Sequence, residues 1–452
     1  MLTEPTRPLT LCREKDLIEW LPATSMKLRH LWKPVVQKAV TGHWKRFRMK
    51  PVMPPLPTGL KHVGLYLHVP FCEELCPYCP YNRVKYNEGL FTRYELAVHQ
   101  EIDLYAPYLA GATLGSLYIG GGTPTVNAPG LQRILAHLKS ALSFSGDICV
   151  ELHPRHMDDR CLAMLLGEGV TLLSLGIEST SDELLIRIGR KHNGRSALDA
   201  LSRARRAGFK TINVDLMFSL PGQTTHDWED DVRAVLDSGV DQLSTYPMFA
   251  FPYTDLGKER RARTVMRPPG RTIRRMLEVT DTLCSADGLG RCAVWSWLRP
   301  GGEKFSSITR HHYIGFGPSA ASMTGTQFYV NSFDIDAYAS SLPGKRPIAL
   351  SMPVDRALEM SYWLYWRVYE LHIRNADFQK QFGEGASLTS TFGPALWPLC
   401  CAGMAERTAE GFRITPSGAY WVHRLQNEYS LNYIDRLWGA CRRNPWPGEV
   451  IL

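Results

Sequence analysis

Between residues 63 and 246 the chain repeats one pattern six times, and that repeat restricts the fold more than any other feature. A short apolar run of strand length is followed by a loop and then by apolar residues at helical spacing. The runs are Val63–Val69, Ser116–Ile119, Ile148–Leu152, Leu172–Leu175, Thr211–Leu216 and Gln242–Tyr246. The helical stretches between them are Gly89–Tyr108, Leu131–Leu142, Met157–Leu166, Asp182–Ile188 and Thr225–Leu236. Strands alternating with helices pair in parallel through crossovers and are covered on both faces. The expected class is therefore α/β, with a barrel-like or open parallel sheet. No internal sequence repeat accompanies the structural one.

In such sheets the active face is formed by the C-terminal ends of the strands. Here those ends carry polar or special residues: a cysteine cluster, Gly120-Gly121-Gly122-Thr123, Glu151, Gly176-Ile177-Glu178-Ser179, Asp215 and Tyr246. The cluster is Cys72, Cys76 and Cys79, a C-x3-C-x2-C spacing directly after the first strand. Three thiolates within one loop suit a soft metal centre, either zinc or an iron–sulfur cluster. Structural zinc takes four protein ligands, usually as two C-x2-C-like halves, and no second half follows. Three ligands on a four-iron cluster leave one iron open, the arrangement of radical S-adenosylmethionine (SAM) enzymes. Cys149, Cys161, Cys284, Cys292, Cys400, Cys401 and Cys441 lie in apolar or helical contexts and read as structural thiols.

The 452 residues exceed one ordinary domain. Three segments are expected: a basic N-terminal extension over 1–62, a barrel with trailing loops over 63–345, and a helical C-terminal domain over 346–452. In the last, Gly411–Ile414 reads as a strand or wing, with Thr415-Pro416 opening a final helix. The net charge of +8 lies entirely in residues 1–62, which hold 12 Lys/Arg against 4 Asp/Glu. Chain-wide nucleic-acid binding is therefore not expected. Apolar residues from Leu28 to Trp44 recur at helical spacing, and Pro51–Pro57 reads as a stiff connector. That basic segment could pack on the barrel mouth, dock an acidic electron donor or touch a membrane surface. No apolar run approaches the roughly 20 residues that span a bilayer, and no signal peptide is legible, so a cytoplasmic location is expected.

From about Leu65 onward the chain resembles the oxygen-independent coproporphyrinogen III oxidase family of radical SAM enzymes. The matching stretches are Tyr66–Cys72 (YLHVPFC), Gly120–Thr125 (GGGTPT), Leu175–Ser179 (LGIES), Asn213–Met217 (NVDLM), Leu220–Gln223 (LPGQ) and Ile314–Ser322 (IGFGPSAAS). The resemblance implies a partial (β/α)6 TIM-like barrel with a C-terminal helical, winged-helix-like domain. It implies a [4Fe-4S] cluster on Cys72, Cys76 and Cys79, and S-adenosyl-L-methionine among Tyr66, Gly121, Glu151 and Ala321, with Tyr66 and Glu151 the catalytic candidates. A second SAM is implied among Tyr78, Gly122, Thr123, Glu178, Arg190, Asp215 and Phe249. The implied partners are a tetrapyrrole substrate and a reducing donor such as flavodoxin or ferredoxin. The implied reaction is reductive cleavage of SAM to methionine and a 5′-deoxyadenosyl radical. In the oxidases that radical starts oxidative decarboxylation of propionates, and Arg190 and Lys191 are candidates to meet an anionic substrate.

Four departures bear on the reaction. Glu178 stands where the family usually carries glutamine, and Phe249 replaces a smaller residue. Pro80-Tyr81 follows Cys79 where the oxidases continue to a fourth cysteine. Glu303–Tyr313 lacks the H-N-x-x-Y-W segment of the heme-chaperone relatives, although His311 and His312 lie within it. The expected activity is that of a coproporphyrinogen III oxidase-like oxidative decarboxylase, favoured by the overall length and the Gly315–Ser322 loop; a methylase or cyclopropanase using two SAM and a heme chaperone or heme-processing protein are the alternatives, favoured by Tyr81.

Overall fold

A computed structural model describes residues 46–249, 251–261, 268–305, 311–342, 344–426 and 431–452. The helical pattern from Leu28 to Trp44 lies outside the described residues. Two compact units emerge: Phe47–Asp355 with Val422–Leu452, and, among the described residues, Arg356–Trp421. These cuts differ from a boundary at 346. Ile348–Pro353 is a strand of the larger unit's sheet, and residues 422–452 also belong with that unit.

The larger unit is built on β1 (His62–Val69), β2 (Thr113–Gly121), β3 (Asp147–Leu152), β4 (Val170–Glu178), β5 (Thr211–Phe218) and β6 (Gln242–Pro247). Each is the parallel neighbour of the next. The crossovers are α1 (Glu88–Leu109), α2 (Ala128–Leu142), α3 (Asp159–Gly167), α4 (Asp182–Arg187) with α5 (Gly194–Ala207), and α6 (Thr225–Asp237). In α2, Leu131, Ile134, Leu135 and Leu138 make the buried stripe, and Asn127 caps the start by accepting from Gly130 N–H. Helix α5 is absent from the sequence reading. Its buried face is Ala197, Ala200, Leu201 and Ala204, and three alanines leave little periodic signal in an arginine-rich stretch.

Antiparallel strands extend both edges. Beside β6 lie β7 (Gly290–Ala293) and β8 (Ser296–Leu298); beside β1 come β9 (Tyr313–Phe316), β10 (Ala321–Met323), β11 (Gln327–Asn331) and β12 (Ile348–Pro353). The sheet order is β7-β8-β6-β5-β4-β3-β2-β1-β9-β10-β11-β12, so β1 and β6 do not pair among the described residues and the parallel core stays open. Only β9 departs from the antiparallel rule, running parallel to β1 from Gly64 to Leu67.

The period of two along a strand puts alternate residues on one face. On that face β3 presents Cys149 and Glu151, β4 Leu172, Ser174 and Gly176, β5 Asn213 and Asp215, and β6 Gln242, Ser244 and Tyr246. Tyr118, Cys149, Leu172 and Phe305 form an apolar floor with Tyr66 against it. Polar residues then occupy the positions nearer the strand ends.

Residues 48–52 run beside the edge strand β12. Arg48–Met49 pairs antiparallel with Val450–Ile451, Lys50 bridges to Ser351, and Ser351 Oγ donates to Val52 O at 2.6 Å. The smaller unit packs Trp363, Phe378 and Phe382 beside an antiparallel sheet of His372–Arg374, Gly411–Ile414 and Ala405–Thr408. Helices ending in a hairpin match the winged-helix-like expectation.

Candidate active site

The cysteine loop is anchored before its first cysteine. Phe71, fully buried, packs its ring 5.2 Å from Phe91 and 5.3 Å from Tyr94, both on α1. Removing such a ring costs about 3–5 kcal/mol. Phe71–Cys72 then pairs in parallel with Val84–Lys85, closing the loop at its base. Between these ends Cys79 N–H donates to Cys76 O at 3.2 Å, and Arg83 reaches Cys76 O and Tyr81 O. Arg442, from the helix Leu431–Arg443, donates to Pro80 O at 2.7 Å and Tyr81 O at 2.6 Å. Tyr81 itself is half exposed, its ring 6.0 Å from Trp438.

His68 ties β1 to this loop. Its Nε2 meets the Asn82 carbonyl at 2.8 Å, so that nitrogen carries the proton, and Tyr66 Oη donates to Nδ1 at 2.7 Å. Burial lowers the imidazole to about 4, which keeps it neutral. Tyr66 is thereby oriented from behind.

Each cysteine sulfur has a donor. Thr123 Oγ1 lies 3.7 Å from Cys72 Sγ, Arg190 Nη1 lies 3.9 Å from Cys76 Sγ, and a backbone hydrogen bond from Tyr81 acts on Cys79. The glycine run supplies room. A Cβ on Gly120 would sit 2.7 Å from the Glu151 carboxyl carbon, and Gly121 has φ at +117°, which favours glycine.

Three carboxylates gather at the strand ends. Glu151 accepts from Tyr118 Oη at 2.5 Å and from Gly121 N–H at 3.2 Å. Asp215 accepts from Ser174 Oγ at 2.6 Å and Asn213 Nδ2 at 3.0 Å. Glu178 accepts from Arg190 at 2.6 Å and Tyr246 Oη at 2.9 Å. Burial, with Glu178 and Glu151 nearby, raises Asp215 to about 7, and burial likewise lifts Glu151 above the usual carboxylate range. A register shift between Gly176 and Glu178, with Glu178 at φ +69°, forms a bulge that re-aims its side chain. Buried Asp231 secures the loop beyond it through Ser179 and Thr180.

The structure thus joins Tyr66, Gly121, Glu151, Thr123, Glu178, Arg190 and the cysteines through hydrogen bonds, ring contacts or shared neighbours. Tyr78 is buried among Leu184, Leu185, Ile188 and Met217, with Cys76 and Cys79 packed against that group. Gly122 pairs its N–H with Val69 O beside the loop. Phe249 packs on Trp295 and Phe251, and Ala321 lies on β10; both are apolar and take no part in the polar network. Lys191 is exposed. His311 and His312 precede β9, at the N-terminal end of the parallel strands, opposite the cysteine loop. Sequence reasoning missed Tyr118, Ser174 and Ser244, which stepping back two residues along each strand from Gly120, Gly176 and Tyr246 could have found, and Arg83 and Arg442, for which no local signal exists.

A family model described as the radical SAM superfamily matches residues 66–235. The heme chaperone HemW of Mycobacterium tuberculosis is 30% identical over 314 residues, covering 66% of this chain and 79% of that one. The oxygen-independent coproporphyrinogen III oxidase of Pseudomonas aeruginosa is 26% identical over 389 residues, covering 80% and 84%. This chain belongs to the radical SAM superfamily, in its coproporphyrinogen III oxidase-like family. Among solved structures, the radical SAM enzyme coproporphyrinogen III oxidase (HemN) from Escherichia coli matches its fold with a TM-score of 0.70 at 22% identity, over 82% of this chain and 91% of that one.

A radical SAM protein carries a [4Fe-4S] cluster and binds SAM. The cysteine loop fits such a cluster. Burial pushes the Cys72 thiol up to about 11 against the Thr123 hydrogen bond, with Cys79 and Cys76 adding to the rise. A thiol in that state becomes a thiolate only when a cation binds it, and the donors then serve the thiolates.

Proposed function

We propose that the protein cleaves SAM reductively and handles a heme-type tetrapyrrole, in a role closer to the heme chaperones than to the coproporphyrinogen oxidases. Cys72, Cys76 and Cys79 hold the cluster in this reading. When bound and reduced, the cluster supplies the electron that breaks the sulfonium C–S bond of SAM. Glu151, Gly121 and Tyr66 bind and orient SAM, with Ala321 lining the same region. Glu151 is suited to accept from an ammonium or ribose hydroxyl, because among the described residues it receives two donors. Tyr78, Gly122, Thr123, Asp215 and Phe249 line the space beyond, where a second SAM or the tetrapyrrole would lie. A donor of the flavodoxin or ferredoxin class supplies electrons.

One observation carries the choice against the oxidase. A substrate with several carboxylates needs cations at the reacting face. Arg190, a buried cation on this face, is already ion-paired with Glu178, and its other charged or polar neighbours are Tyr78, Cys76 and Tyr246. Tyr81 in the position of the oxidases' fourth cysteine, and the similarity to HemW, support the same reading. The oxidase remains the second reading, favoured by the extent of the match to the Pseudomonas aeruginosa oxidase, 80% of this chain.

Anaerobically reconstituted protein, given SAM and a reductant, separates them. The expected result is 5′-deoxyadenosine, stoichiometric heme binding, and no vinyl product from coproporphyrinogen III. Vinyl product at catalytic yield overturns the heme reading for the oxidase, and S-adenosylhomocysteine overturns it for methyl transfer.

A further inference from the structure

Arg190 follows the turn that ends α4, and that turn lies against the cysteine loop. A Cβ on Gly189, whose φ is +75°, would sit 2.7 Å from Cδ of Pro77, the residue after Cys76. The Arg190 side chain is only 9% exposed. Nη2 donates to Glu178 Oε1 at 2.6 Å and to Gly176 O at 2.7 Å, Nη1 faces Cys76 Sγ at 3.9 Å, and Nε is buried without a partner among the described residues. Gly176 leaves the space, since a Cβ there would lie 3.0 Å from Nη2. Glu178 is held from its far side by Tyr246 Oη. A continuous line therefore runs from Tyr246 through Glu178 and Arg190 to one cluster cysteine.

We propose that Arg190 is a positioning residue that sets the reduction potential of the cluster through Cys76, and that Glu178 offsets part of its charge. This rests on the reading that Cys72, Cys76 and Cys79 hold the cluster. A cationic donor on a ligating sulfur draws electron density from it and favours the reduced cluster, and the potentials of iron–sulfur centres respond to such hydrogen bonds. A carboxylate behind the cation withdraws part of that effect. Sequestration by Glu178 and Cys76 also commits the guanidinium within the protein, so its charge serves the cluster rather than a diffusing anion.

The test is a redox titration of the reconstituted full chain without SAM, beside Arg190→Gln, Arg190→Lys and Glu178→Gln, with iron content measured for each. Omitting SAM is deliberate, because a residue acting only on a small-molecule ligand leaves that potential unmoved. Arg190→Gln is expected to lower the reduced-to-oxidised ratio at fixed potential about tenfold, about 59 mV for a one-electron couple. Glu178→Gln shifts it the other way by less, and Arg190→Lys falls between, keeping charge without the planar fork. Iron-loaded Arg190→Gln titrating with wild type overturns the proposal. If Arg190→Gln holds no iron, Glu178→Gln decides: an upward shift supports the proposal and no shift overturns it. Wild type that takes up no iron overturns the cluster reading and this inference together.

Discussion

Glu101, fully buried, and Asp215, partly buried, are both carboxyls lifted to about 7, yet they do different work. Glu101, on α1, accepts from Gly317 N–H at 2.8 Å, Asn331 Nδ2 at 2.7 Å and Tyr338 Oη at 2.6 Å. Burial alone raises it, and the hydrogen bonds oppose the rise. Asp215, in the C-terminal half of β5, has fewer donors, and Glu178 and Glu151 push it up further. A perturbed carboxyl therefore does not mark a site. Convergence of several, left partly unsatisfied at the strand ends, does. The Gly317 turn of the Ile314–Ser322 stretch, prominent in the family resemblance, falls on the structural side, because Glu101 fastens it there.

The comparison breaks first at Glu101→Ala, which strands three buried donors and should cost at least about 3 kcal/mol in thermal or denaturant unfolding. Iron uptake below the melting temperature should survive; an unchanged stability would make Glu101 something other than a structural clamp. Glu151→Gln should do the reverse. Calorimetry should find SAM binding weakened about 10- to 100-fold, the loss of one charge-assisted hydrogen bond, with little change in melting. Unaltered SAM affinity would remove Glu151 from the site.

Legibility in the sequence divides along the same line. Period-two alternation and the break after each run put Glu151, Glu178 and Asp215 at strand ends without any coordinates, and three cysteines after β1 declared their chemistry by spacing. Glu101 was invisible, because a glutamate inside an amphipathic helix looks solvated until Gly317, Asn331 and Tyr338 arrive from more than 200 residues away. Arg442 reaches the cysteine loop across 361 residues and is equally silent. The bulge that turns Glu178 toward Arg190 depends on the register of β4 against β5, which pairing sets and local sequence does not.

A smaller effect sharpens the comparison by pH. Asp215 is raised above its ordinary 3.8 in the folded state, so its contribution is fully present below that value and is lost as pH rises through about 7. Wild-type stability measured against Asp215→Asn should therefore fall between about pH 4 and about pH 8; a flat or rising difference contradicts the shift. Smallest of all, replacing His311 and His312 together by alanine should leave SAM cleavage within about twofold of wild type, since the pair lies at the opposite end of β1. A larger loss would mean that the reacting face extends to the wrong end of the sheet.

The central claim is that Cys72, Cys76 and Cys79 carry a cluster that cleaves SAM on the face where the carboxylates converge. Quantifying 5′-deoxyadenosine and iron together, for anaerobically reconstituted wild type and Cys76→Ala under the same reductant, tests it most directly. The account predicts product and iron in wild type and neither in the variant. Iron retained by Cys76→Ala, or wild type that is loaded with iron yet forms no 5′-deoxyadenosine, would contradict it.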